Sequence, residues 1–254
     1  MLLMPNLPYK VKKDRVDWRD WPYKSTKQTL RESVSLKEWA TPVKDQGALG
    51  ACSGNAVASA YELLLNKQDP SQTRDLSRLF VYYNARLLEN DVENDSGVYI
   101  KDAVKAVNKF GICLERTWPY VIENFAVTPS ALAYHDAGYR NIKNYFRVSG
   151  LDDSLDALND NWPILFSLQV YRGFELMGKG SETIPTPEPG EEPYGGHAMV
   201  MVGYDLPGSK ILCQNSFGVN WGIDGFCWMT FDYLTNQVMD SWIFDINILP
   251  IKEN

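Results

Sequence analysis

Four polar residues at two widely separated places in the chain could together perform thiol acyl-transfer chemistry. Gln46 precedes Cys52 by six positions, across a glycine-rich turn, while His197 and Asn215 follow about 150 positions later. A cysteine sulfur can attack a carbonyl carbon, and a histidine can move the protons that this attack requires. Side-chain amides can orient the histidine or donate a hydrogen bond to the oxyanion that forms. The set therefore predicts catalysis through a thioester intermediate.

The position of Cys52 favours an ionised sulfur. Cys52 opens an apolar segment without proline, residues 52–67, in which Val57 and Tyr61 recur at helical spacing. The positive end of a helix dipole favours thiolate over thiol, and a protonated His197 would stabilise that thiolate further. We therefore expect a thiolate–imidazolium pair near neutral pH.

The two amides would act on the histidine and on the oxyanion. Asn215 would orient the imidazole of His197 through its neutral carbonyl. The Gln46 side-chain N–H would bind the oxyanion together with the backbone N–H of Cys52. Each residue also has an ordinary structural interpretation, as a small buried cysteine, a hydrogen-bonded core histidine, a turn asparagine or a surface glutamine. The only other histidine of the sequence, His135, is expected on an exposed helix with a structural or solvated role.

Hydrophobic periodicity indicates helices in the first half of the chain and strands in the second. Besides residues 52–67, amphipathic helices are predicted over residues 76–88 and 100–110, and Gly111 would end the latter. Short apolar runs bounded by glycine or proline predict strands at residues 163–170, 197–202, 210–214 and 226–231.

The same division predicts the domain organisation. We expect an N-terminal arm over residues 1–33, a mainly helical lobe over 34–135 with the nucleophile, and a β-rich lobe over 136–254 with the histidine and asparagine. Because the catalytic pair is divided between two lobes, the site would lie in a cleft between them.

Several motifs resemble the landmarks of papain-like cysteine peptidases, in the order in which that family carries them. They are Val16-Asp-Trp-Arg19, Thr41-Pro-Val-Lys-Asp-Gln46-Gly and Asn215-Ser-Phe-Gly-Val-Asn-Trp221-Gly, with Ser77-Arg-Leu-Phe-Val-Tyr-Tyr-Asn84 and Trp118-Pro-Tyr120 typical of a branch from bacteria, archaea and their viruses. The spacing of cysteine, histidine and asparagine also fits that family. The resemblance covers about residues 34–246. It implies an α+β papain-like two-lobe fold, with a helical left lobe, an antiparallel β-barrel-like right lobe and the active-site cleft between them. It also implies a cysteine-type peptidase that acts on polypeptides, with an inhibitor or activator protein as a further candidate partner.

The resemblance implies a substrate-binding role for a second group of residues. The family pairs the backbone of a Gly-Gly-Tyr-Pro stretch with an extended peptide, and Gly97, Val98 and Tyr99 lie at corresponding positions here. Val98 stands where the family has a glycine, so the cleft is expected to be narrower. Tyr99 and Ala198 are candidates for the pocket of the substrate side chain two positions before the cut, and Trp221 for the wall on the leaving-group side. The alternatives are a solvated loop and, for Trp221, a purely structural aromatic.

Three departures from the family pattern bear on function. Phe217 replaces a tryptophan that covers the Asn–His hydrogen bond in the family, so the cover would be smaller and would lack an N–H. Leu49 stands where secreted relatives carry a disulfide cysteine, which favours a compartment with reduced thiols. The stretch before Val16 is too short for the family's helical inhibitory propeptide. Control is therefore expected from a loop, a partner protein, substrate access or earlier processing.

A proline-rich segment over residues 178–196 ends just before His197. Its prolines favour an extended, semi-rigid loop. We hypothesise a cover over the cleft whose glutamates favour basic substrates; a solvated insertion is the alternative.

Composition argues against several other classes. The formal net charge is −7 and the sequence has no basic stripe, which argues against nucleic-acid binding. Cys113, Cys213 and Cys227 form no C-x-x-C pair, so neither a metal nor another cofactor is expected. The sequence has no secretory signal and no apolar run of about 18 residues, so we expect a cytoplasmic protein without membrane association.

Two other functions stay open. One is a thiol acyltransferase or deamidase of the same fold, although such enzymes often orient the histidine with an aspartate rather than an asparagine. The other is a catalytically silent papain-like binding protein, although such a protein need not keep all four residues of the set.

Overall fold

The computed structural model describes residues 9–248, with helices first and strands later. The first half contains α1 (Cys52–Gln68), α2 (Arg78–Leu88), α3 (Ile100–Phe110) and α4 (Ala131–Ala137). The three helices predicted here are confirmed to within two residues. Gly111 ends α3 with a φ of 78°, a left-handed conformation that glycine adopts without a Cβ penalty. His135 lies exposed on α4, as predicted.

Helix α1 is the central element of the fold. Every residue from Cys52 to Asn66 is buried, which explains why its apolar residues surround the helix instead of forming one stripe. The carboxylate of Glu62 on this helix accepts hydrogen bonds from Lys44 Nζ at 2.5 Å, from Leu76 N at 2.8 Å and from the Thr41 hydroxyl. Glu62 therefore fixes both the loop that precedes Gln46 and the approach to α2 against α1.

Seven strands of the described chain form one antiparallel sheet. They are β1 (Ser33–Ser35), β2 (Arg140–Arg147), β3 (Ile164–Val170), β4 (Gly195–Asp205), β5 (Lys210–Gln214), β6 (Phe226–Thr230) and β7 (Val238–Ile248). The order is β2-β7-β3-β4-β5-β6, and β1 pairs with the end of β4. The α+β class and the four predicted strands are confirmed. The β-rich part is not a closed barrel: within the described residues β2 and β6 are the edges of an open sheet and do not pair with each other.

Strands β1, β2 and β7 were not predicted from the sequence, and neither were three helices, α5 (Gly150–Asn159), α6 (Arg172–Glu175) and α7 (Phe231–Gln237). Strand β2 carries few apolar residues because it lies at the sheet edge, where most of its side chains are half-buried. Strand β7 pairs with both β2 and β3 over its length, so its position depends on partners distant in the chain.

The helical and β parts share one main hydrophobic core. It includes Leu63 and Val104 from the helices together with Phe166, Met201 and Trp242 from the sheet. Helix α1 packs against β4 at this boundary. The start of α1 and the start of β4 therefore lie on the same side of the interface, and these are the segments with the predicted cysteine and histidine.

The described part of the N-terminal arm crosses the molecule in extended form. Val11 donates its backbone N–H to the Gly196 carbonyl at 3.0 Å. Further on, Tyr23 donates to Arg147 at 2.7 Å, and Arg147 donates to Trp21 at 2.8 Å. The arm therefore contacts the start of β4 and the end of β2.

Candidate active site

Cys52 is the first residue of α1 and is fully buried. Burial raises the pKa of its thiol to about 11. Hydrogen bonds from backbone N–H groups, first that of Ala198 and then that of Ser53, lower the pKa but do not outweigh burial. The contact with Ala198 places the sulfur beside the residue that follows His197 on β4.

His197 and Asn215 are joined by a hydrogen bond. The distance between His197 Nε2 and Asn215 Oδ1 is 2.7 Å, and the backbone N–H of Ser216 donates to the same oxygen at 2.8 Å. Because the amide oxygen can only accept, Nε2 of the imidazole carries the hydrogen. The lone pair of Nδ1 is then left to accept a proton. The Asn215 Nδ2 is buried without a partner among the described residues, so this amide is held by its oxygen alone.

Aromatic side chains enclose the imidazole. The ring centroid of His197 lies 4.7 Å from that of Phe217, 5.6 Å from that of Phe174 and 6.0 Å from that of Tyr9. Burial lowers the pKa of His197 to about 4, while the hydrogen bond with Asn215 raises it by less. A neutral imidazole is therefore favoured.

The thiolate–imidazolium pair expected from the sequence is not favoured in this closed state. A raised thiol pKa and a lowered imidazole pKa both stabilise the neutral forms of Cys52 and His197. The helix dipole at Cys52 acts in the expected direction, but removal of water from both groups has the larger effect.

Gln46 is fixed by contacts with the segment around Asn215. The Ser216 hydroxyl donates to Gln46 Oε1 at 2.6 Å, and the Gln46 backbone N–H donates to the Ser216 carbonyl at 2.9 Å. Gln46 Nε2 donates to the Leu49 carbonyl at 2.9 Å, which uses one of its two hydrogens. The amide is therefore oriented with its N–H₂ group toward the turn that leads to Cys52.

The residues predicted for substrate binding have different environments. Ala198 contacts the Cys52 sulfur through its N–H, and Trp221 is buried against the ring of Phe174 at 5.3 Å. Gly97 meets the arm directly, since a methyl group there would lie 2.6 Å from the Lys10 carbonyl oxygen.

Val98 and Tyr99, the other two predicted substrate-binding residues, immediately precede α3. The Val98 side chain belongs to the main hydrophobic core. A narrower cleft at this position stays a prediction. Tyr99 is half-buried, and Lys12 and Arg15 of the arm lie over its ring at 5.9 and 5.6 Å.

The arm covers the site from above Gly97 to the start of β4. A methyl group at Gly195 would lie 2.1 Å from the Tyr9 carbonyl oxygen, and one at Gly196 would lie 2.0 Å from the Val11 carbonyl oxygen. These distances are far shorter than an ordinary carbon–oxygen contact, so only glycine lets the two backbones approach this closely. The arm thus separates the candidate catalytic residues from solvent.

Sequence analysis did not identify the arm residues Tyr9 and Lys10, or Phe174 and Asp95, as parts of the site. Phe174 lies on the short helix α6 and contacts the rings of Tyr9, His197, Phe217 and Trp221. No motif marks it. Asp95 lies next to the predicted Gly97 stretch, and its acidic side chain was the one feature of the sequence that could have indicated a role in the site.

The proline-rich segment is anchored at its beginning. Ile184 is buried and donates its N–H to the Trp228 carbonyl at 2.9 Å, so this part extends the edge of β6. The Glu191 carboxylate accepts from the backbone N–H groups of Arg172 and Glu188, each at 2.9 Å. A covering role for this segment stays a prediction.

Further observations concern cysteine pairing, metal ligation and helix length among the described residues. The four cysteines are free thiols, and no group of three or more His, Cys, Asp and Glu side chains within residues 9–248 is arranged to hold a metal ion. Among the helices of that range, none is long and apolar enough to cross a membrane.

Sequence comparisons relate the chain to known proteins. A family profile described as papain family cysteine protease matches residues 16–241. The chain is 35% identical over 237 residues to an uncharacterised peptidase C1-like protein of Acanthamoeba polyphaga mimivirus, a match that covers 89% of this chain and 76% of that protein. It is 25% identical over 214 residues to the thiol protease aleurain of Arabidopsis thaliana, covering 80% and 57% of the two chains.

Solved structures give the same result. Xylellain, a cysteine protease from Xylella fastidiosa, matches with a TM-score of 0.86 and 33% identity over 93% of this chain and 95% of that one. The bromelain protease of Ananas comosus shares the fold with a TM-score of 0.67 and 19% identity, over 87% and 100% of the chains. Because the family profile spans most of the sequence and both relatives and fold agree with it, the chain belongs to the papain family of cysteine proteases and is a peptidase.

Proposed function

We propose that this peptidase cleaves polypeptides through a thioester on Cys52, with His197 as general acid and base, Asn215 as the residue that orients it, and Gln46 as an oxyanion donor. The observation that carries the proposal is the 2.7 Å contact between His197 Nε2 and Asn215 Oδ1. His197 lies on β4 next to Ala198, whose backbone N–H lowers the pKa of the Cys52 thiol.

The chemistry follows from these contacts. The Cys52 sulfur attacks the peptide carbonyl carbon, and its proton passes to Nδ1 of His197. The carbonyl oxygen becomes an oxyanion, which accepts hydrogen bonds from Gln46 Nε2 and the backbone N–H of Cys52. His197 then protonates the leaving amine, which departs and leaves a thioester. A water that His197 deprotonates attacks the thioester, releases the acid product and restores the thiol.

The neutral orienter suits this sequence of steps. Asn215 holds the imidazole through its oxygen but adds no charge, so it does not compete with a thiolate for the positive imidazolium. When the arm leaves the cleft, water returns to the thiol and imidazole, and the burial that now favours their neutral forms is relieved. Activity is therefore expected to require arm displacement.

The test is cleavage of a diverse peptide mixture under reducing conditions, with new termini identified by mass spectrometry. The full-length chain is compared with Cys52→Ala, and with Cys113→Ala as a matched control at a buried cysteine outside the site. New termini with the unchanged chain and Cys113→Ala but not with Cys52→Ala support the proposal. Equal cleavage by Cys52→Ala overturns it. Ammonia released without new termini would identify a deamidase instead.

A further inference from the structure

A carboxylate outside the proposed catalytic set contacts the turn that leads to the candidate nucleophile. Asp95 lies in the loop between α2 and α3, two positions before Gly97. Its two carboxylate oxygens accept from the backbone N–H of Gly50 at 3.0 and 3.2 Å. Gly50 belongs to the turn that ends at Cys52, so Asp95 is coupled directly to the segment that carries the sulfur.

Two partners of this carboxylate come from the body of the protein. Besides Gly50, Tyr82 on α2 donates its hydroxyl to Asp95 at 2.5 Å, and the same hydroxyl accepts from the Gly97 N–H at 3.2 Å. Tyr82 is fully buried. These contacts hold the carboxylate in one orientation and do not involve the arm.

The remaining partner is the arm's Lys10. Its ammonium lies 2.9 Å from the carboxylate and also donates to the Asp95 backbone carbonyl. The Lys10 backbone lies between Gly97 and Gly196, where it contacts the first and forms a bridge with the second. The side chains of Lys10 and Asp95 are 36% and 22% exposed, so the pair is partly shielded from solvent.

We infer that Asp95 selects a basic side chain of the polypeptide substrate, and that Lys10 occupies this subsite as an internal competitor. The inference rests on the proposed peptidase function. When a peptide replaces the arm between Gly97 and Gly196, the Asp95 carboxylate is still oriented by Gly50 and Tyr82 but has lost the Lys10 ammonium. A substrate lysine or arginine restores the charge-assisted hydrogen bond, whereas a neutral side chain leaves the carboxylate without a positive partner.

The expected preference is about tenfold in kcat/KM, because a partly shielded, charge-assisted contact is stronger than an exposed ion pair but retains some solvent screening. It should apply to one substrate position only, since a single oriented carboxylate provides it. Lys10→Met should raise kcat/KM for every peptide, because it weakens the competitor without altering the subsite.

The experiment uses the full-length chain and quenched peptides in which each position near the cut carries lysine, arginine or norleucine. The enzymes are the unchanged chain, Lys10→Met, Asp95→Asn and Asp95→Glu, with Lys12→Met as a matched control on the arm that lies over Tyr99 and not at Asp95. The readout is the ratio of kcat/KM between basic and norleucine peptides. The inference predicts a ratio of about ten in the unchanged chain, Lys10→Met and Lys12→Met, about one in Asp95→Asn, and partial recovery in Asp95→Glu.

A second readout separates this inference from the proposed function. A lysine-containing and a norleucine-containing peptidyl vinyl sulfone are compared for their rate of covalent attachment to Cys52, measured by intact mass. Loss of the lysine preference in Asp95→Asn supports the inference even where turnover is too slow to follow. Two outcomes overturn the inference and leave the peptidase function standing. In the first, the preference for basic peptides survives in Asp95→Asn. In the second, the unchanged chain and Lys10→Met both cleave peptides but show no preference for basic ones. If no variant cleaves peptides and none is labelled at Cys52, both the inference and the proposed peptidase function are overturned.

Discussion

A single methyl group added at Gly196 should expose the candidate nucleophile. The Cβ of Gly196→Ala would lie 2.0 Å from the Val11 carbonyl oxygen and 2.9 Å from its carbon. An ordinary carbon–oxygen contact is about 3.3 Å, so the arm must move by more than about 1 Å. The change alters no side chain of the arm or of the proposed catalytic set. The flexible end of Met239 lies 3.0 Å from the added carbon and can move aside.

The size of the effect follows from the contacts that this shift breaks. The 3.0 Å hydrogen bond from Val11 N to the Gly196 carbonyl contributes about 1 kcal/mol. The partly exposed pair of Lys10 and Asp95 contributes at most about 1 kcal/mol more. Together these losses amount to a fivefold to thirtyfold increase, roughly, in the population of arm-open molecules. Alkylation of Cys52 by iodoacetamide should accelerate by the same factor, because the thiol reacts only when it is exposed.

The assay is the alkylation rate at pH 7.5, with the modified cysteine located by peptide mass. Gly178→Ala is the matched control, since a methyl group there meets no atom within 4 Å. Circular dichroism establishes that each variant is folded, and Lys10→Met provides a second route to the same state. Alkylation of Cys52 at the unchanged rate in both folded variants would refute the view that the arm protects the thiol.

Three further predictions concern catalysis, pH and stability. Asn215→Ala should lower kcat about 100-fold, since His197 loses the acceptor that orients it; turnover within threefold of the unchanged chain would contradict that role. Burial and the charge of Asp240 raise the pKa of Asp14 on the arm to about 6, so the docked arm binds a proton more readily than a released one. Docking of the arm should therefore be strongest below about pH 4 and weaken as the pH rises through about 6. The rate of Cys52 alkylation in the unchanged chain, divided by the rate in Asp14→Asn, should rise over this window. A flat ratio would count against a role of Asp14 in docking. Lys44→Met should lower the free energy of unfolding by about 3 kcal/mol, because it leaves the fully buried Glu62 carboxylate without its cation, and urea denaturation measures this; a double variant with Glu62→Gln should recover part of the loss.

Local patterns were enough to predict the helices of the first half of the chain and four of the strands. The apolar spacing in residues 100–110 reports the face that α3 buries, whereas residues 52–67 are apolar on all sides because α1 is buried all round. Gly111 marks the end of α3, where the backbone has a positive φ. The motifs around Cys52 and Asn215 likewise indicated the family before any contact was known. Strand β2 escaped detection because an edge strand buries too little of its surface to show a clear pattern.

The sequence by itself determined the family, the α+β class and the grouping of Gln46, Cys52, His197 and Asn215 as the candidate set, since residue type and order along the chain are sufficient for these. The open sheet, the neutral forms of the thiol and imidazole, and the contact between Lys10 and Asp95 were decided only by the tertiary structure. The physical reason is the same for all three. Strand closure, removal of water and pairing of distant charges depend on which parts of the chain meet in space, and no local pattern of residues encodes that path.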